Sequence, residues 1–535
     1  MRPRLPALSL PSLLALALLS TSATAQAPEY PVSFSDPMPL TSEALGPYSR
    51  PVSDVPEAQA YFDQGIQLLY AFAPGSAARS FHEASKRDPA CAMCWLGEAW
   101  AWGPYLNGPM SAPDAPRAYY AIGKARTVAD EHGAGEVERA VIEAMSVRYE
   151  PTHDPDRRRE LDERYAAAMA EVWERFPHDQ EVGTLYGESL MLLEPRRGNW
   201  DIEDPDVQRI HHVLESTLAV DITHPGACHL YVHATESTTH PEKAEACAAY
   251  LGQSIPGASH IQHMPSHTYN RLGRWGDAVR ANIAAWHSDL KAREGKGFAI
   301  YPSHNLHMLL FAASYDGQGA VAIQAGKDYG KIQDGGQFYH VLTLLRFGRF
   351  DEILELDTPP DGDIFRGFWD FGRGYAYLRA GDPILARAYL EKVREAANSH
   401  ETFRPSRHSA AQLLGVVGGI LEGEILRSEG DLTGAVTALE EAVEIEDGLT
   451  YDEPEPLNFT ARHWLGAALL EAGRATDAEV VYRASLEDHP HNGWSLFGLE
   501  QALRAQGRSA EADAVHAELE EAWARADHWI QSSRY

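Results

Sequence analysis

The sequence predicts an all-α protein, a right-handed α-solenoid of helical hairpins, on three observations. Apolar residues recur at i, i+3, i+4 and i+7 through most of the 535-residue chain, the spacing that gathers them on one helical face. Almost no stretch alternates polar with apolar, as a half-buried strand would. Short glycine-led punctuators interrupt the helical pattern: "GRWGDA" at 273, "GRFDEI" at 348, "GRATDA" at 473 and "GRSAEA" at 507, with Gly473 and Gly507 34 residues apart. A fixed period in the thirties marks stacked helix pairs, each covering the apolar face its neighbour leaves open.

In chain order, residues 1–25 read as a signal peptide: Arg2 and Arg4, an apolar run from Leu5 to Leu19, and Ala23-Thr24-Ala25 before Gln26. No cysteine follows that cleavage site, and no later run approaches the roughly 20 apolar residues of a membrane span. This predicts an exported, periplasmic or secreted protein without membrane insertion. Residues 26–57, rich in proline and polar residues, should form an extended arm lying on the solenoid. An N-terminal array is expected over 58–330, interrupted at about 103–160 by the Gly/Pro loop "GPYLNGPM" and charged helices, and a C-terminal array over 331–535. The insert 287–303 and the loop 446–458, which carries "YDEPEP", are candidate lids or site-lining loops.

Counting from Ala58 puts Gly65, Ala77, Phe81, Ala84 and Pro89 at positions 8, 20, 24, 27 and 32; counting from Phe459 gives Gly466, Ala478, Tyr482, Ser485 and Pro490. This pattern resembles the tetratricopeptide repeat (TPR) family, with weaker matches from near 92, 180, 225, 259, 301, 334, 367, 416 and 493. The histidine-bearing motifs described below also look like a group of exported bacterial TPR proteins. The resemblance implies the fold over most of residues 58–530. It implies a binding scaffold as the general function, with a peptide, partner protein or small molecule held in the concave groove. The net charge of −31, near −33 without the leader's two arginines, argues against nucleic acid and anionic membranes as partners.

Cys91, Cys94, Cys228 and Cys247 are the four cysteines. In an exported chain an even number favours disulfides, and four allow three pairings, among which Cys91–Cys94 and Cys228–Cys247 are favoured. A redox-active or metal-binding role for Cys91-Ala92-Met93-Cys94 is the alternative. No βαβ pattern surrounds it, and Trp95 stands where haem attachment needs a histidine.

The histidines carry the chemistry. "HLYVHATE" (229–236) and "HMPSHTY" (263–269) each hold an i, i+4 pair, and the second pair follows the first by 34 residues. The family's inner helix turns positions 2, 5, 9 and 12 into the groove. Counted from Pro225, His229, His233 and Glu236 fall at 5, 9 and 12; counted from Ser259, His263 and His267 fall at 5 and 9. "YPSHNLHM" adds His304 and His307. Imidazole is the commonest biological transition-metal ligand, and i, i+4 histidines share one helical face. These six histidines are therefore candidate ligands for copper, iron or zinc, with Glu236 as ligand, orienting group or proton acceptor. Oxidation or hydrolysis would be the reaction class; the rival reading is a scaffold without chemistry. Leu230 stands where a zinc peptidase helix needs glutamate. Glu98, Glu188, Tyr269, Asn270 and Tyr301 are expected to line a cleft around the centre. His224, His240, His260 and His287 are set aside as loop or off-face residues, and His463, at position 5 of its own repeat, as a groove residue without metal.

Overall fold

The computed structural model describes residues 34, 36–196, 198–403 and 407–535; the signal peptide and the start of the arm lie outside the described residues. The described chain is all-α, an array of TPR-like helical hairpins running from the helix Pro56–Tyr70 to the helix Ser509–Ala522, with isolated bridges and no strand among the described residues.

The repeat signature has a steric cause. A Cβ on Gly65 would lie 2.7 Å from the Phe81 ring and one on Gly97 2.6 Å from the same ring. One aromatic is thus wedged between two helices that approach closely because each presents glycine. At the far end Tyr482 sits in the same way between Gly466 (2.4 Å) and Gly498 (2.1 Å). The glycines of the punctuators end helices in the left-handed region: Gly273, Gly348, Gly473 and Gly507 have φ between 67° and 75°. Each lets the next residue's N–H return to a carbonyl five residues back, as Arg274 does to Tyr269 at 2.8 Å and Arg474 to Leu469 at 2.8 Å.

The described part of the arm lies on the first helix, held by two buried glutamines. Gln67 accepts from the Gly46 N–H at 2.8 Å and donates to the Tyr48 carbonyl at 2.7 Å, while Gln64 donates to the Pro39 carbonyl at 3.0 Å. The insert forms the helices Asp114–His132 and Glu136–Ser146. The disulfides are Cys91–Cys94 and Cys228–Cys247, as favoured from the sequence. No helix among the described residues is long and apolar enough to cross a membrane.

The C-terminal hairpins curl back onto the middle of the chain. Trp494 donates its indole N–H to the Ser314 carbonyl at 2.9 Å, Trp275 does the same to Pro490 at 2.9 Å, and Arg525 pairs with Asp316 at 2.6 Å. One hydrophobic core runs from Trp275 to Ala512, so hairpins on both sides of residue 330 share it. The 446–458 loop lies over inner helices of the middle repeats, its Tyr451 donating to Glu236 and its Pro456 carbonyl accepting from Tyr339.

Candidate metal centre

Four short helices bring the histidines inward. Pro225–Glu236 is buried along its whole length. Pro225 sets its first turn, and the His224 side chain caps it by accepting the Ala227 N–H at 3.0 Å. The next inner helix is broken into Ser259–His263 and Pro265–Arg271 at Met264, because Pro265 has no N–H to continue the ladder. Pro302–Tyr315 starts after Tyr301, which takes φ 54° without being glycine. Phe72 is also left-handed, at φ 57°. The Tyr301 hydroxyl donates to the Phe72 carbonyl at 3.3 Å, and the Phe72 ring lies 4.1 Å from that of His229. Two strained backbones therefore border the histidines, as is common at functional sites.

The histidines form two groups of three. One is His229, His233 and His260; the other is His263, His267 and His304, and within each group one ligand atom per residue lies within 4.8 Å of the others. The groups are neighbours: the rings of His260 and His263 are 5.2 Å apart and those of His233 and His267 5.3 Å. All but His304 are buried. The sequence left open whether the six histidines serve one ion or two. In the structure each i, i+4 pair is completed by a histidine from the next inner helix, His260 for the first and His304 for the second.

The ring orientations are fixed from behind. His229 Nδ1 donates to the Tyr70 carbonyl at 2.5 Å, His233 Nδ1 to Glu236 at 2.7 Å, and His267 Nδ1 to the other oxygen of Glu236 at 2.5 Å. His263 Nδ1 donates to Asn282 Oδ1 at 3.1 Å, and that amide is held the right way round by donating to the Ala278 carbonyl at 2.9 Å. In all four Nε2 is left facing the cluster. The Nε2 atoms of His229 and His233, and both ring nitrogens of His260, are buried without a hydrogen-bond partner. His263 Nε2 and His267 Nε2 face each other at 2.8 Å. At that distance the two nitrogens share either the proton of a protonated His267 or a cation.

Behind Glu236 stands Glu453, delivered by the 446–458 loop. His267 Nδ1 lies 3.2 Å and His233 Nδ1 3.6 Å from its Oε2. Arg196 bridges the two carboxylates, contacting Glu453 closely and Glu236 at 3.8 Å, and the Tyr451 hydroxyl donates to Glu236 at 3.2 Å. His233, His267, Glu236 and Glu453 form a third group with ligand spacing, but there the guanidinium already supplies the cation. Burial pushes the His229 imidazole down to about 3. Burial acts the same way on His267, yet Glu236 and Glu453 together overcome it and carry its pKa up to about 9. Burial acts to raise the pKa of Glu236, but His267 and Arg196 hold it at about 2.

Several sequence expectations change. His260, set aside as a loop residue, belongs to the first triad; it occupies position 2 counted from Ser259, a groove position the same register already named. His307, expected as a ligand, faces away: its Nε2 meets the Tyr339 hydroxyl at 2.5 Å, which itself donates to the Pro456 carbonyl at 2.9 Å. Glu188 is buried against the Trp100 indole N–H at 2.8 Å, and Glu98 lies 3.3 Å from His82, both apart from the histidines. Tyr301 does border the centre, its ring 5.0 Å from that of His260 and its hydroxyl 2.8 Å from Tyr105. Asn270 lines a cavity beside His267, and half-buried Tyr269 stacks under Arg274. His224 is buried with Glu181 at 3.1 Å, whereas His240 and His287 are exposed. Arg196 and Glu453 were missed. Glu453 had a faint signal in the proline-stiffened "YDEPEP"; Arg196 had none.

No family model and no curated protein matches the chain. Among solved structures it is similar to a human IFIT1 dimer with PPP-AAAA, at 12% identity over 85% of this chain and 88% of that one, TM-score 0.29. It is also similar to the APC/C hetero-tetramer Cut9-Hcn1, at 11% identity over 90% and 78%, TM-score 0.29. The P58(IPK) TPR domain shows 12% identity over 84% and 99%, TM-score 0.21. At these scores the likeness stops at stacked helix pairs.

Proposed function

We propose that this chain is an exported metalloprotein whose histidine triads hold transition-metal ions for metal-dependent oxidation or hydrolysis. The observation that carries the reading is the arrangement of ring nitrogens. Imidazoles that ligate metals commonly donate the other ring N–H to a carbonyl or carboxylate. His229, His233, His263 and His267 each do so, and leave Nε2 buried, convergent and, in His229 and His233, unpaired. An unpaired buried nitrogen costs about 1–3 kcal/mol, a cost a bound ion removes. Glu236 then acts as a positioning group shared by His233 and His267 rather than as a proton acceptor, since both oxygens are engaged. Three protein nitrogens around an ion leave a coordination position open, the form suited to chemistry. Export rests on the leader-like residues 1–25 and agrees with the two disulfides. The loop lying over these inner helices gives the peptide-scaffold alternative no support.

Metal analysis of protein purified without a polyhistidine tag tests the reading. A stoichiometric metal that disappears in the His233→Ala/His267→Ala double variant supports it. Protein that stays folded yet takes up no copper, iron or zinc sinks it.

A further inference from the structure

The two triads differ from a single metal site in number and in donor set, and together these narrow the metal and its ligand. Each triad offers three nitrogens and no carboxylate. All-imidazole sets suit copper, zinc and iron, whereas magnesium, calcium and manganese favour oxygen donors. The charged groups packed against the triads are Glu236, Glu453 and Arg196, with Arg271, Asp452 and Glu455 lining the cavity beside His267. Iron(II) sites that handle dioxygen carry a carboxylate beside their histidines, and neither triad contains one; zinc does not change its oxidation state. Copper is the metal of this group with a stable monovalent state.

Burial limits the ligand. Five of the six imidazoles are buried; the cavity beside His267, which opens to solvent and which none of the other five lines, has a volume of about 30 Å³. That is room for a water or a diatomic molecule. The triads adjoin through His260 with His263 and His233 with His267, so a small ligand can touch both ions.

Resting on the metal reading above, we infer that each triad takes one copper ion and that the pair binds dioxygen. The charges balance in both directions. Each Cu(I) gives up one electron and becomes Cu(II), dioxygen takes both electrons while its O–O σ bond survives, and its two new negative charges offset the two new positive charges. No proton is needed, and none of the buried side chains has to change its charge.

The test is anaerobic loading of the untagged, full-length mature protein with Cu(I), followed by air. The expected result is two copper ions per chain, one dioxygen consumed per pair, and oxidised copper that is silent in electron paramagnetic resonance because the two ions are coupled. His260→Ala and His304→Ala should each lower the copper content from two to one and abolish dioxygen uptake, with circular dichroism confirming the helical fold. One ion per chain in the wild type overturns the inference, as does a full isolated-Cu(II) signal after air. Two ions without oxygen uptake, or zinc displacing Cu(I) from an equimolar mixture, also overturn it while leaving the metal centre of the preceding section intact. Protein that binds no metal at all overturns both.

Discussion

His229 and His463 occupy the same register position, the fifth of their repeats, and both are buried, at 1% and 0% exposure. Their surroundings differ in one respect. His463 has both nitrogens engaged: Nδ1 with Arg346 at 3.1 Å, and Nε2 with Ser495 Oγ at 3.1 Å and Asn492 Oδ1 at 3.3 Å. His229 has Nδ1 on a carbonyl and Nε2 on nothing. The C-terminal histidine is a satisfied member of a core network beneath Trp494, whose ring lies 3.7 Å from the Arg346 guanidinium. The middle histidines are organised on one side and open on the other. Register brings a histidine inward; whether a neighbouring polar group meets its second nitrogen separates structure from chemistry.

The largest expected effect is on metal content. His233→Ala/His267→Ala removes one ligand from each triad together with both partners of Glu236, and bound metal should fall from stoichiometric to background by elemental analysis. His463→Ala, subjected to the same measurement, should keep its full complement. If the two variants lose metal alike, the contrast between the regions fails.

Next is Glu236→Gln. The amide cannot accept from both imidazoles at once, so ring orientation is lost while every ligand remains. Metal affinity should weaken about 10–100-fold, the range typical of groups that orient ligands, read by competition with a chelator of known affinity. Unchanged affinity would show that Tyr70 and Asn282 orient the rings sufficiently.

The third effect is on stability. His463→Ala leaves the buried Arg346 and the Ser495–Asn492 pair short of a partner, and should cost about 3 kcal/mol in urea unfolding. His260→Ala in the metal-free protein removes a ring whose nitrogens bond to nothing, and should cost less than His463→Ala. A larger loss at His260 would make it a packing residue first.

The smallest is a pH effect in the N-terminal hairpins. Burial pushes the Glu98 carboxyl up to about 8, above its unfolded value. The folded state then binds more protons than the unfolded one between roughly pH 4.5 and 8. Its stability should therefore fall with rising pH in that window. Glu98→Gln should flatten the slope. An identical slope in wild type and variant would assign the dependence to other groups.

The helical pattern, the repeat and the glycine-led turns were legible because each is a local contract. Gly65 and Phe81 lie 16 residues apart, and Gly473 needs only its own turn. Groove positions 5 and 9 were legible for the same reason, and position 2 should have been read as consistently. The partner of His307 was not legible, because i, i+3 spacing from His304 does not say which way a helix faces once a neighbour such as Tyr339 occupies one side. Arg196 was invisible, since a single arginine in a loop becomes informative only beside the two carboxylates it bridges.

By itself the sequence determined the all-α hairpin array and the inward placement of most of the histidines, because helical periodicity and one-residue turn conformations are settled within a few tens of residues. Only the tertiary structure decided how those histidines divide. The approach of His260 to the preceding inner helix, the arrival of His304 from the next hairpin, and the return of the 446–458 loop with Glu453 over more than 180 residues of chain turned a histidine-rich stretch into two triads. Those contacts are fixed by the stacking of whole hairpins, and no local spacing encodes them.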